Sequence, residues 1–429
     1  MINPLAQELN ETLKNSVIDE LFSQMGKRLY FPKGIIAQGN EASKNATFAN
    51  GTIGMAVADK SPVELDSYKK NMPFLTPQET VAYSKTAGNP ELRKLWKEKI
   101  IEKNPSLKNK TFSLPILVPG LTAVLSYVCD LFVEENKPLL AANPCWDNYE
   151  LIATARCGAE FHQFKCFENG KFNIRDLEEK MKADAQRYGS VRVILNFPQN
   201  PSGYSPTVDE VKEICRIVKE TAESGKKVLV LSDDAYFGLN YEDDIEPQSL
   251  FAYLADIHEN VLAIKADGPT KEDFAWGFRT GFMTFASKNL TAEQYAALET
   301  KFTAAIRSSV SCASTVSQSL VLKAIKDTSH DNQKQELREM LQRRYNLVRK
   351  FVNSHKSSVL EPLPFNSGYF MSFNVKTGKA EEIRKKLLET KGIGIIQIDS
   401  NTLRVAFSSI DEYNIEAVYE NIYKIAESM

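Results

Sequence analysis

The chain has 429 residues, a net charge of -2, 25% charged and 43% hydrophobic residues. That length allows two or more domains at about 100 to 200 residues each, and the near-balanced charge excludes a polyanion binder, so no nucleic-acid partner is expected. No apolar run approaches the ~20 residues that span a bilayer. The opening Met1-Ile-Asn-Pro-Leu-Ala-Gln-Glu carries an acid and no basic stretch before an apolar one, which predicts a cytoplasmic protein without secretory signal or membrane partner. Cys129, Cys145, Cys157, Cys166, Cys215 and Cys312 contain no C-x-x-C pair, and the four histidines are equally dispersed. The pattern predicts free thiols and no metal site.

In chain order, residues 17–25 have a helical pattern, residues 31–39 read as irregular, and Gly51 and Gly54 bracket a place where backbone could approach a ligand. Asn89-Pro-Glu91 is a helix start, with Pro in the first turn and an acid at the positive end. From about 114 to 290 short apolar runs end in polar or Gly/Pro clusters and are often followed by helical segments. Residues 115–118 lead to Gly120-Leu-Thr122, residues 139–142 to Asn143-Pro-Cys-Trp146, and residues 191–195 to Asn196-Phe-Pro-Gln-Asn-Pro-Ser-Gly203. Residues 228–231 then lead to Ser232-Asp-Asp-Ala-Tyr236, and residues 261–264 run toward Lys271 and Arg279. After a run at 281–286, helical patterns at 291–306 and 331–353 precede a C-terminal stretch with strands near 368–373 and 403–407 and helices near 380–391 and after 413.

Strands alternating with helices predict an α/β fold with a mostly parallel sheet covered on both faces. Ligands in such sheets bind outside the carboxyl ends of the strands, so the five polar clusters should share one crevice. Taken singly, each has an ordinary explanation as a turn, a strand exit or a solvated loop.

Together they match the needs of an aromatic aldehyde cofactor bearing a phosphate and joined to Lys271 as a Schiff base. Gly120, Leu121 and Thr122 offer N–H donors at a helix start for the phosphate, and Arg279 offers a cation. Asp233 can keep a pyridine nitrogen protonated. Tyr236 and Asn200 can serve a phenolic oxygen, and Trp146 can stack on the ring.

This arrangement resembles the fold-type I pyridoxal-phosphate-dependent aminotransferases of class I/II over nearly the whole chain. Asn200-Pro-Ser-Gly203 is similar to that family's Asn-Pro-Thr-Gly signature, Asp233-Asp-Ala-Tyr236 to its Asp-x-Ala-Tyr segment, and Lys271 with Arg279 eight residues on to its Schiff-base lysine and phosphate arginine. The resemblance implies that Asn200 and Tyr236 bond the phenolic oxygen, Asp233 the pyridine nitrogen, and Trp146 stacks on the ring. It further implies that Tyr83 reaches the phosphate of a neighbouring subunit in a homodimer, and that Arg404, in Leu403-Arg-Val-Ala-Phe407, grips the substrate α-carboxylate with Gly54 nearby. Thr270 keeps one hydroxyl often used for the phosphate; Gly268 stands where another is often found. Lys265 is a rival lysine, but it lies inside a strand pattern fourteen residues from Arg279.

The implied domains are an N-terminal segment 1–70 (an arm and part of a small domain), a large cofactor-binding domain 71–330, and a linking helix with C-terminal small domain 331–429. The implied function is ping-pong transfer of an amino group between an L-amino acid and a 2-oxo acid, with pyridoxal 5'-phosphate as cofactor and Lys271 as general base. A β-lyase on the same fold is the alternative. A non-catalytic effector-sensing module is a further one, disfavoured because the first 70 residues hold no basic DNA-binding domain. Arg307, with Ser311 four residues later, resembles a segment where dicarboxylate-specific members carry an arginine; Phe31, Tyr83, Trp146, Tyr369 and Phe370 could equally line a pocket for an aromatic side chain.

Overall fold

A computed structural model describes residues 2–14, 21–31 and 34–429. Residues 17–20 of the predicted opening helix lie outside the described residues; of the remainder, Ser23 caps a short helix, Gln24–Arg28.

The core is a seven-stranded sheet of β1 (Ile116–Val118), β2 (Leu139–Asn143), β3 (Phe161–Lys165), β4 (Ser190–Asn196), β5 (Lys227–Asp233), β6 (Val261–Asp267) and β7 (Gly281–Ala286), in the order β1-β7-β6-β5-β4-β2-β3. All strands but β7 run parallel, and β7 is antiparallel to both its neighbours. The central strands are continuous apolar runs because helices cover both faces and leave no side for water. The helix Val208–Glu223, opened by a Thr207/Glu210 capping box, buries Val211, Ile214, Ile217 and Val218 in this way. Reversal of β7 has a direct effect on the crevice. Its first residues emerge at the edge where the other strands end, which brings Arg279 beside the carboxyl ends of β5 and β6.

A smaller α+β unit joins both ends of the chain. Its antiparallel sheet has the order β8-β9-β11-β10, from β8 (Leu360–Pro362), β9 (Phe370–Val375), β10 (Ile396–Gln397) and β11 (Thr402–Ala406). The N-terminal part enters through Ala49–Asn50, paired in parallel with Ile393–Gly394.

Among the elements absent from the sequence expectation, which include the helix Ile174–Tyr188, three have a visible physical reason. The stretch read as irregular contains a helix, Ile35–Asn45. It is fixed by tertiary contact: buried Gln38 both donates to and accepts from the Gln397 backbone, at 2.9 and 2.7 Å. β3 went unread because it is an edge strand whose outer positions His162, Gln163 and Lys165 are polar. The helix Thr315–Ile325 was hidden by a serine-rich start, in which Ser314 serves as N-cap.

The turn Asn200–Gly203 links the two sheets. Gly203 O accepts from Asn366 N and Ser367 N, both at 2.9 Å, and Ser372 Oγ donates to Pro201 O at 2.8 Å. Gly203 has φ +77°, and a Cβ there would stand 1.9 Å from Phe370 O. Gly225 has φ +83° with open space around it. Gly203→Ala should therefore cost more than about 2 kcal/mol, from overpacking on top of left-handed strain, against about 1 kcal/mol for Gly225→Ala from strain alone. Denaturant unfolding of the two variants checks this, and equal losses would contradict it.

Candidate active site

A cavity of about 250 Å³ opens at the carboxyl edge of the large sheet, against the smaller unit. Lys271, Arg279 and Arg404 line it, with Asp233 as the one carboxylate among the described lining residues. Three cations thus face one anion.

Lys271 sits in a single helical turn, Pro269–Glu272, directly after β6. Its ammonium lies 4.7 Å from the centre of the Tyr236 ring, and its main-chain carbonyl accepts from Tyr369 Oη at 3.0 Å. Burial lowers its pKa to about 8; Asp233 opposes that shift and Arg279 adds to it. Asp233 ends β5 on the cavity side. Tyr149 Oη donates to its Oδ2 at 2.5 Å and the Ala235 N–H to its Oδ1 at 3.2 Å. Burial raises the Asp233 carboxyl above its ordinary range, against the pull of Tyr149 and Lys271.

Arg404 reaches the cavity from β11, stacked 4.3 Å over the Phe370 ring. Its hydrogen-bond partners are neutral, Asn200 Oδ1 at 3.0 Å and Thr52 O at 3.1 Å, and the carboxylate that acts on it is the unbonded Asp147. Nε has no partner, although the side chain is only 3% exposed. Burial brings the guanidinium down to about 10. Asn200 is itself held, since its N–H donates to Asn196 Oδ1 at 2.8 Å while Asn196 Nδ2 donates to Asp233 O at 2.7 Å.

Arg279 also lines the cavity and is itself exposed, with φ +52° and Nη1 donating to Trp276 O at 3.0 Å. A Cβ on Gly120 would stand 2.6 Å from Arg279 Nη2, so the guanidinium rests against a bare Cα at the start of the helix Leu121–Phe132. Leu121 and Thr122 line the cavity there. A Cβ on Gly268 would be 2.8 Å from Thr280 O, and one on Gly281 would be 2.8 Å from Gly120 C. Glycine at 268 thus gives up a hydroxyl and lets three backbone segments close around the helix start. The Thr270 hydroxyl donates to Thr280 O at 3.4 Å.

Of the other predicted residues, Trp146, Tyr236, Gly54 and Phe370 line the cavity. Tyr369 does not; it is fully buried behind Lys271. Phe31 and Arg307 are exposed and outside the lining. Tyr83 is 96% exposed and also outside it. Tyr149, Asn196 and Thr52 also line the cavity, although no motif above assigns them a role. Tyr149 closes the quoted Trp146 segment, and Asn196 ends β4 as Asp233 ends the adjacent β5, so strand-end position was a usable signal for both. Thr52 acts through its carbonyl, which side-chain chemistry cannot reveal.

The profile of the family "Aminotransferase class I and II" matches residues 55–422. The chain belongs to the class I and II aminotransferases. Among curated relatives of this aminotransferase, a probable N-acetyl-LL-diaminopimelate aminotransferase of Bacillus subtilis (strain 168) is 26% identical over 328 residues, 74% of each chain. An aspartate aminotransferase of Sulfurisphaera tokodaii is 25% identical over 209 residues, 48% of each chain. The crystal structure of an aminotransferase from Anaerococcus prevotii superposes with a TM-score of 0.84 at 22% identity, covering 95% of this chain and 99% of that one. The kynurenine aminotransferase of Pyrococcus horikoshii gives a TM-score of 0.78 at 15% identity, covering 97% and 99%.

As a member of this family the protein is a pyridoxal-phosphate-dependent transferase. The cavity fits that cofactor on its own terms. A phosphate and a carboxylate would balance the excess of cations, and the bare Cα of Gly120 lets the Arg279 guanidinium lie against the helix start, so that a cation and N–H groups can share one phosphate. In the cofactor-free protein, the lowered Lys271 pKa means that the reactive neutral amine predominates above about pH 8. The rate of pyridoxal phosphate uptake, followed by visible absorbance, should rise with pH and level off there. A rate still climbing from about pH 9 to about pH 10, as an ordinary lysine would give, contradicts the assignment.

Proposed function

We propose that this aminotransferase moves an amino group between an L-amino acid and a 2-oxo acid by a ping-pong mechanism, with Lys271 as the cofactor-binding amine and general base. The observation that carries this reading is the pairing, in one cavity, of a partly buried amine of lowered proton affinity with a buried guanidinium whose hydrogen-bond partners are neutral. The first suits an aldehyde and the second a carboxylate.

Pyridoxal phosphate, when bound, supplies an aldehyde carbon for an amine and a ring that withdraws electrons from the amino acid's Cα. The chain's own groups do the rest. Arg279, Thr122, Thr270 and the N–H groups at the start of the helix Leu121–Phe132 hold the phosphate. Asp233, more basic than an exposed carboxylate and steadied by Tyr149, keeps a proton on the pyridine nitrogen. Tyr236 and Asn200 serve the phenolic oxygen, and Trp146 covers the ring. Arg404 takes the α-carboxylate on its free Nε edge, beside Gly54. Lys271 Nζ then removes the proton from the substrate Cα.

The same reading makes the protein a homodimer in which Tyr83 serves the partner's site. Supporting this, Phe74, Val81, Tyr83 and Val310 are all exposed. Thr315 Oγ1 donates to Ala82 O at 2.7 Å and Ser84 Oγ to Ala313 O at 3.1 Å, which joins the two segments into one surface.

Lys271→Ala should abolish amino-group exchange between labelled amino acids and 2-oxo acids; wild-type exchange in that variant would sink the proposal. Arg404→Lys should lower kcat/KM about 10- to 100-fold, mainly through KM, because a charge-assisted hydrogen bond contributes about 1.5 to 3 kcal/mol and lysine lacks the planar fork. Release of pyruvate and ammonia from a cysteine conjugate, without exchange, would instead identify a β-lyase.

A further inference from the structure

Lys265 lies in the middle of the large sheet, on β6, and is 1% exposed. An unneutralised ammonium there would be far too costly to bury. Its partners are carboxylates from two strand ends: it donates to Asp234 Oδ2 and lies 3.5 Å from Asp267 Oδ2. Its Nζ also sits 4.5 Å over the Phe237 ring. Burial acts to lower its proton affinity, but the two aspartates outweigh burial and hold Lys265 charged.

Strand geometry sets what this cluster touches. Ser232 is the register partner of Lys265 and Asp233 that of Ala266. With side chains alternating along a strand, Asp234, Lys265 and Asp267 share the face opposite Asp233. Asp234 is covalently next to Asp233. Asp267 begins the turn that presents Lys271, four residues on.

The cluster is braced from outside. Ser249 Oγ donates to Asp234 Oδ2 at 2.5 Å and Trp96 Nε1 to Asp267 Oδ2 at 3.2 Å. Glu272, the residue after Lys271, is the other charged group that acts on Lys265; it bonds Lys103 and lies 3.8 Å from Lys334. Stability alone does not account for such a cluster, since an apolar replacement of a buried ion group is often neutral or stabilising. A leucine at 265 could fill the space. It could not tie the end of β5 to the end of β6.

We propose that Lys265 is a positioning residue: with Asp234 and Asp267 it fixes the strand end that carries Asp233 relative to the turn that carries Lys271. This rests on the reading of Asp233 and Lys271 as the groups that hold the cofactor's ring nitrogen and aldehyde carbon. Lys265 touches neither substrate nor cofactor; it acts through the backbone on the opposite face of the sheet.

The test uses the holoenzyme and three variants, Lys265→Met, Asp267→Asn and the triple variant Asp234→Asn/Lys265→Met/Asp267→Asn. The triple variant removes all three charges of the cluster, leaves no orphan among them and should melt like the wild type. Positioning predicts that it still binds pyridoxal phosphate about tenfold more weakly, shows an altered visible circular dichroism of the bound cofactor, and loses up to about 100-fold in kcat with KM little changed, the scale expected for a misplacement of about 1 Å. A triple variant with wild-type affinity, dichroism and kcat would overturn the proposal. Should Lys265→Met fail to fold, Asp267→Asn and the triple variant decide the matter by the same readouts. Lys271→Ala serves as reference. If it keeps wild-type exchange, the underlying reading fails; if it is inactive while all the Lys265-cluster variants are silent, only the positioning role fails.

Discussion

Excess positive charge around one small cavity is the constraint on which the rest of the site depends. Lys271, Arg279 and Arg404 converge on one cavity with Asp233 as the one lining carboxylate among the described residues. Burial has already shifted two of these cations toward their neutral forms, Lys271 to about 8 and Arg404 to about 10. Anions from outside the chain relieve that penalty, so affinity for a phosphate and a carboxylate is built into the folded protein. The sheet topology makes the convergence possible. Parallel strands deliver Asp233 and Lys271 to one edge, the reversed β7 delivers Arg279 to the same edge, and β11 of the smaller unit carries Arg404 in from the opposite side.

Close backbone approach is the second requirement. Gly120, Gly268 and Gly281 meet where the helix Leu121–Phe132 starts, and a Cβ at any of them would stand within 2.8 Å of a neighbour. Gly268, which in the sequence looks like a loss of a phosphate hydroxyl, is thereby accounted for. Its position has no room for a side chain, and the N–H groups and Arg279 are drawn together in exchange. Gly203 plays a related part farther along the edge, where the Asn200 turn packs against the backbone of β9.

What the sequence made legible follows from how local each signal is. Apolar runs ending in polar clusters were enough to place Asp233, Lys271, Asn200 and Trp146 around one crevice, because a buried strand and its exit are written in consecutive residues. Elements fixed by distant partners were not. The helix Ile35–Asn45 depends on Gln38 reaching Gln397, and Thr52 contributes a carbonyl that any residue would carry. Tyr149 is intermediate: its aromatic segment was visible, but its bond to Asp233 appears only when β2 and β5 lie in one sheet.

Two lysines six residues apart show how surroundings divide the same chemistry. Lys265 is locked between Asp234 and Asp267, which keep it charged and therefore inert as a nucleophile. Lys271 has no carboxylate in hydrogen-bonding contact and faces an aromatic ring, so burial outweighs the opposing pull of Asp233 and its amine is more easily freed of its proton. One edge of one strand thus holds a structural cation and a reactive amine. The first is costly to bury, and the cost is reasonable only if the geometry it imposes matters to the second.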